Sequence, residues 1–290
     1  MKKKSLRALL SESPIVAPGA YDAVSAKVIE SLDFPAIYLT GYGASASKLG
    51  LPDYGFMTQT EMAAHVSGIS KVVNIPLLAD ADTGYGSIVN IVRTVHEFED
   101  AQASAIHIED QANKRCGHMQ GKQVIERQEF ITKITAALKA RRNPEFMIFA
   151  RTDARSVKGL DEAMARGYES LKVGADGLFF DALESVEELE KVAKEFSGTC
   201  LVANMVEFGR TPLLSVDELH RMGYSLIIYP VTGLFSATHA MTLALQHLKD
   251  AGENSSLLSQ VTTFEQFAEL MGLGDWKNLE AEYQKNKIKN

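Results

Sequence analysis

Two cysteines in 290 residues provide no disulfide framework, and Cys116 and Cys200 as thiols fit a reducing compartment. A basic excess is missing as well. With 30 Lys and Arg against 37 Asp and Glu, the net charge is −7, and no global positive field invites nucleic acid or anionic lipid. No apolar run approaches the roughly 20 residues needed to cross a bilayer. Lys2 to Lys4 lead only into the short Ser5–Leu10 stretch, which is unlike a secretory signal. Internal repeats and low-complexity linkers are absent too. The expectation is a cytoplasmic protein without a nucleic-acid or membrane partner, and 46% hydrophobic residues are enough for a large core.

What is present is a regular alternation. Short apolar runs recur at Ile15–Ala17, Ala36–Thr40, Pro76–Asp80, Ala105–Glu109, Phe146–Ala150, Gly177–Asp181, Cys200–Asn204 and Leu226–Pro230. They lack strict polar alternation, as strands buried on both faces of a parallel sheet do. Between them, Ala23–Ser31, Thr60–Val73, Ile88–Asp100, Arg127–Ala140, Gly159–Val173, Ser185–Lys194 and Ser215–Met222 carry apolar residues at helical spacing. Eight strands alternating with helices predict an α/β protein with a (β/α)₈ barrel. The expected organisation is one barrel domain over 1–290, in which 235–290 forms a C-terminal helical extension. Phe267, Leu270, Trp276 and Leu279 make that tail apolar, which suits packing on a partner subunit.

In such a barrel, polar residues at the C-terminal ends of the strands converge on one mouth. The densest stretch is Leu77–His118, reading LLADADTGYG and then, beyond a helical segment, AIHIEDQANKRCGH. A lone DAD commonly marks a turn or cap. Here Asp80, Asp82, Glu109 and Asp110 each follow a strand-like run, and such bunched carboxylates are hard oxygen donors suited to Mg²⁺ or Mn²⁺. Cys116 is flanked by Lys114, Arg115 and His118, a positive field that favours a reactive thiolate. Thr40-Gly41-Tyr42-Gly43 is either a tight turn or a cradle of backbone N–H groups for an anion. Arg151 either grips a carboxylate in a bidentate fork or pairs with Asp153 or Glu109. Asn204 and Glu207 either orient a substrate or cap the next helix. His65, His96, His107 and His239 read as packing or surface residues, and Cys200 as inert core.

In the order AIYLTGYG, LLADADTGYG, HIEDQ, KRCGH, ARTDA, ANMVEFGRTPLL and IIYP, the chain resembles the isocitrate lyase and phosphoenolpyruvate mutase superfamily. The likeness runs from about Pro18 to His239, and KRCGH downstream of HIEDQ points to the lyase branch. The resemblance implies a (β/α)₈ barrel assembled as a homotetramer, a dimer of dimers, with C-terminal helices swapped between neighbours. It also implies that Asp82 ligates Mg²⁺ while Asp80 and Glu109 hold metal-bound waters. Thr40, Gly41, Tyr42 and Arg151 would bind the 2-oxo acid half of a small dicarboxylate. Lys114, Arg115 and Gly117 would line the substrate from the cysteine loop, while His118, Asn204 and Glu207 would support the second carboxylate. Cys116 would protonate the departing carbanion, and Tyr38 would handle the hydroxyl proton.

The expected chemistry is Mg²⁺-dependent carbon–carbon cleavage of a 2-hydroxy dicarboxylate. The run Pro230–Phe235 bears on the substrate. Members that cleave 2-methylisocitrate resemble PLSAFR there, and the arginine helps to bind an extra carboxylate. Phe235 replaces it in this chain, and a third carboxylate buried without its cation costs several kcal/mol. Asp181 stands where those members often carry glutamate. The expectation is therefore a 2-alkylmalate such as 2,3-dimethylmalate, giving pyruvate and propionate. The alternatives are 2-methylisocitrate cleavage, oxaloacetate decarboxylation, phosphonate mutation and a non-catalytic acid-binding barrel.

Overall fold

A computed structural model describes residues 4–117, 119 and 121–287. Eight strands form a closed parallel barrel in sequence order. They are β1 (Ile15–Ala20), β2 (Ile37–Leu39), β3 (Leu77–Asp80), β4 (Ala105–Glu109), β5 (Met147–Thr152), β6 (Gly177–Phe180), β7 (Leu201–Asn204) and β8 (Leu226–Tyr229). All eight coincide with the apolar runs of the sequence to within a few residues. The helices of the barrel unit are α1 (Leu6–Glu12), α2 (Ala23–Ser31), α3 (Gly41–Leu49), α4 (Gln59–Ser70), α5 (Ile88–Asp100), α6 (Arg127–Ala140), α7 (Arg155–Lys158), α8 (Leu160–Lys172), α9 (Val186–Glu195) and α10 (Val216–Met222). Then follow α11 (Thr232–Ala251), α12 (Phe264–Leu270) and α13 (Leu273–Lys287). Contacts divide the chain into two units, 1–234 and 235–290.

Local signals set the helix starts. Asp22, Thr58 and Ser215 each accept from the backbone three residues on, and a side chain there reaches back to complete a capping box. Two cores result. Ile106, Ile134, Phe98, Val192 and their neighbours fill the layer between strands and helices. Inside the barrel pack Ile15, Ala17, Tyr38, Leu78, Ala105, Phe149, Phe179, Val202, Leu226 and Ile228, together with Leu6 of α1. Each fully buried large apolar side chain there contributes about 1.5–3 kcal/mol.

The strand period of two decides what reaches the mouth. Continuing outward from those interior residues gives Thr40, Asp80, Glu109, Arg151 and Asp153, Asp181 and Asn204, all on the inward face. Cys200 packs against the interior core, and burial pushes its thiol up to about 12, as suits an inert residue. Among the described residues, no helix is long and apolar enough to cross a membrane. In the 235–290 unit, Phe264, Trp276 and Tyr283 are exposed.

Candidate active site

Three buried carboxylates meet at the ends of β3 and β4. Asp80 closes β3, Asp82 stands two residues on, and Glu109 closes β4. Asp82 adopts a left-handed backbone (φ +48°), held by its N–H donating to Asp80 Oδ1 at 2.9 Å and by its carbonyl accepting from Glu109 N at 2.9 Å. A non-glycine residue in that region costs roughly 1–3 kcal/mol, a strain that clusters at functional sites.

Lys114 supplies the cation among them. Its Nζ lies 2.9 Å from Asp82 Oδ1, 3.2 Å from Glu109 Oε2 and 3.3 Å from Asp80 Oδ2. Burial alone would push Asp80 up, but Lys114, His107 and Arg151 hold it well below the usual carboxylate range. For Asp82 burial wins, helped by Asp80 and Asp53, and its pKa rises to about 7. Burial likewise drives Glu109 well above the usual range, and its Oε1 is buried with no hydrogen-bond partner. Lys114 and the neighbouring Arg151 together still leave Glu109 Oε1 without a partner.

These residues fit a divalent ion. The donors are hard oxygens, a cation already sits among them, and an orphaned carboxylate oxygen remains. Among the described residues, no three His, Cys, Asp or Glu side chains are close enough together to hold a metal as they stand. The carboxylate oxygens stand 2.9–3.3 Å from the Lys114 ammonium, longer than the 2.0–2.1 Å of Mg²⁺–O bonds.

Around this centre the expected residues fall into place unevenly. Gly41 opens α3 so close to the triad that a Cβ there would lie 2.5 Å from Asp80 Oδ2. Thr40 caps α3 by accepting from Gly43 N, so TGYG is a helix N-terminus rather than a tight turn. Its first-turn N–H groups have no intrahelical partners. Arg151 makes both suggested ion pairs, Nε to Glu109 (3.3 Å) and to Asp153 (3.2 Å), and adds Asp181 at 2.9 Å. Asn204 donates to Asp181 Oδ1 at 2.8 Å, which brings it beside Arg151. Glu207 accepts from the Thr232 hydroxyl.

The cysteine loop reaches into the mouth. Gln111 pairs with Val124 across its neck. Cys116 N donates to Asp53 O at 3.2 Å, and a Cβ on Gly117 would overlap Asp181 Oδ2 at 1.5 Å. Only glycine lets the chain lie there. Tyr42 is half-buried, and its phenol is pushed up by burial and then by Cys116 and Asp53. The cationic flank expected for the thiol is arranged differently, however. Lys114 is turned to the carboxylates, and Arg115 lies over the Tyr54 ring at 4.5 Å. Both prefer strong local partners, three carboxylates and an aromatic face. His118 lies outside the described residues.

Several residues escaped the sequence reading. His107 is fully buried in the site rather than in plain packing, with Nε2 2.9 Å from the Tyr38 hydroxyl and 3.8 Å from Asp80 Oδ1. Burial lowers its pKa to about 4, so the imidazole is neutral, and burial raises the Tyr38 phenol well above 10. The signal was available, since His107 and Glu109 share one face of β4 by the period of two. Lys122 gave no such signal. Its buried Nζ donates to Asp153 Oδ1 at 2.7 Å and to the Gly117 carbonyl, fastening the cysteine loop to the barrel. A charge-assisted bond of this kind contributes about 1.5–3 kcal/mol. Lys122→Met should lower kcat/KM about 10–100-fold and Lys122→Arg should restore part of it, as steady-state kinetics would show.

This geometry has relatives. The chain is 46% identical over 280 residues to the 2,3-dimethylmalate lyase of Eubacterium barkeri, covering 96% of each. It is 40% identical over 279 residues to the 2-methylisocitrate lyase of Aeropyrum pernix, covering 96% of this chain and 89% of the relative. The crystal structure of a 2,3-dimethylmalate lyase superposes with a TM-score of 0.90 at 37% identity, covering 96% of this chain and 93% of the other. A phosphonopyruvate hydrolase solved with oxalate and Mg²⁺ superposes with a TM-score of 0.88 at 27% identity, covering 98% and 99%. The match to the family described as phosphoenolpyruvate phosphomutase spans residues 6–249, and the chain, mouth and cysteine loop included, belongs to that family within the isocitrate lyase and phosphoenolpyruvate mutase superfamily.

Proposed function

We propose that this protein is a Mg²⁺-dependent carbon–carbon lyase that cleaves 2,3-dimethylmalate to pyruvate and propionate. The observation that carries the reading is the seat of Gly117 against Asp181 and Arg151, which supports a loop that offers the neighbouring Cys116 to a substrate at the mouth. A phosphoryl mutase or a decarboxylase has less need of a thiol delivered there, because neither must protonate a bulky leaving carbanion.

Asp80, Asp82 and Glu109 would hold the ion, with Mn²⁺ as a substitute. Bound there, it would chelate the carboxylate and hydroxyl of a 2-hydroxy acid and lower the hydroxyl pKa. Arg151 and the first-turn N–H groups of α3, at Gly41 and Tyr42, grip the carboxylate of the 2-oxo acid half, capped by Thr40. Tyr38, hydrogen-bonded to neutral His107, takes the hydroxyl proton on its way to the imidazole. The C2–C3 bond then breaks, its electron pair passing to the propionate half as C2 becomes the carbonyl of pyruvate. Cys116 donates the proton that completes propionate. Lys114, Arg115, His118, Asn204 and Glu207 are the residues assigned to the second carboxylate and the loop.

The substrate choice rests on Phe235, an apolar ring in the run where an arginine would serve a third carboxylate. The exposed Phe264, Trp276 and Tyr283 support assembly into a homotetramer, and two cysteines with no disulfide framework support a cytoplasmic setting. Pyruvate release from 2,3-dimethylmalate and 2-methylisocitrate, each with Mg²⁺ and with chelator, tests the proposal. Turnover of dimethylmalate that chelator abolishes is the expected result. Faster cleavage of methylisocitrate would move the chain to that activity, and turnover of oxaloacetate alone would make it a decarboxylase.

A further inference from the structure

We infer that Lys114 is the internal counter-ion of the metal site, seated there in the metal-free protein and expelled when the ion binds. The inference rests on the proposed metal dependence and adds to it an order of events. Lys114 Nζ has three N–H donors and three carboxylate neighbours, at 2.9, 3.2 and 3.3 Å. The lysine side chain is 5% exposed, and those of Asp80, Asp82 and Glu109 are 4%, 8% and 0% exposed. An ammonium buried this deeply among three carboxylates and a divalent ion bound by the same oxygens exclude one another. Two cations so close would repel, and the oxygens cannot satisfy both spacings.

The reason for such a device lies in the burial. Without any cation the three carboxylates would be desolvated and mutually repelling, the state that burial penalises most. Lys114 relieves this only partly, since its ammonium reaches one oxygen of each carboxylate and Glu109 Oε1 remains buried and unpartnered. A doubly charged ion therefore has a reason to displace it. It also has a way in, because a cavity of about 470 Å³ opens onto Asp82 and Lys114 between Tyr54, Tyr85 and Asn113. Lys114 comes from the same loop as Cys116, two residues before it. Once released, its ammonium is free to meet a substrate carboxylate, as expected for a residue of KRCGH.

Competition of this kind has a measurable signature. Where a site is about nine-tenths taken by its own lysine, the apparent metal affinity is about tenfold weaker than the intrinsic one. Acetylation of the intact protein by acetic anhydride, read by peptide mass spectrometry, reports whether Lys114 is seated. Without substrate, Lys114 should be protected in chelator and become labelled as Mg²⁺ is added, while exposed Lys191 stays constant. By calorimetry, Lys114→Met should bind Mg²⁺ about tenfold more tightly than the natural protein, and Lys114→Gln, which keeps a polar end, should do the same. Mg²⁺ binding with unchanged protection of Lys114, or with equal or weaker affinity in both variants, would overturn the lysine inference alone. Absence of Mg²⁺ binding in the natural protein and both variants would overturn the metal reading together with it.

Discussion

Cys116→Ser lowers kcat for 2,3-dimethylmalate cleavage by about 10²–10⁴-fold, the range that positioned proton donors contribute. The backbone should hold its place in the variant. Cys116 reaches Asp53 through its N–H, and Gly117 fits against Asp181 by having no Cβ, neither of which involves sulfur. The metal triad and Arg151 also stay as they are, so substrate binding and KM should change little. Cleavage stalls because the carbanion of the propionate half has no acid of suitable pKa to quench it. Oxaloacetate decarboxylation provides the internal control, since its small enolate does not require a donor placed for a branched carbon. Pyruvate release from both substrates, with wild type and variant side by side, is the measurement. Equal loss on both would show that residue 116 shapes the mouth rather than delivering the proton.

Arg166→Met destabilises the barrel by about 3–5 kcal/mol, the loss expected when one partner of a buried ion pair is removed. Arg166 is fully buried on α8 and reaches three ways, to Asp110 Oδ2 (3.1 Å), Glu162 Oε1 (3.0 Å) and the Ile125 carbonyl (2.8 Å). Methionine replaces the stem but none of the donors. Asp110 keeps the Thr152 hydroxyl at 2.5 Å and Asp153 N at 2.8 Å, yet its negative charge loses the guanidinium in a fully buried position. Ile125 closes the cysteine loop, with its N–H on the Asp110 carbonyl, so the damage extends to the loop's base. Thermal unfolding should show the transition lowered on the order of 10 °C. A double variant with Asp110→Asn should recover part of that loss, because the orphaned charge is then absent. No recovery would mean that the stability resides in packing of the Arg166 stem.

The barrel was legible in the sequence because its signals are local. Apolar runs such as FMIFA and AIYL mark parallel strands, and helices such as Arg127–Ala140 carry their own period and ends. Strand ends then named the mouth, so Asp80, Asp82, Glu109 and Arg151 were readable before any coordinate. His107 obeys the same rule, yet a histidine amid isoleucines reads as packing until Tyr38 and Asp80 are seen beside it. By itself, then, the sequence determined the strand order, the inward face of each strand and the acidic ring, all properties of neighbours along the chain. Only the tertiary structure decided which cation lies in that ring, that Arg115 rests on Tyr54, and that Lys122 fastens the cysteine loop to Asp153. Lysine and arginine side chains are long and free to turn, and their partners sit 5 to more than 60 residues away in the chain, so charge and burial in three dimensions choose among them.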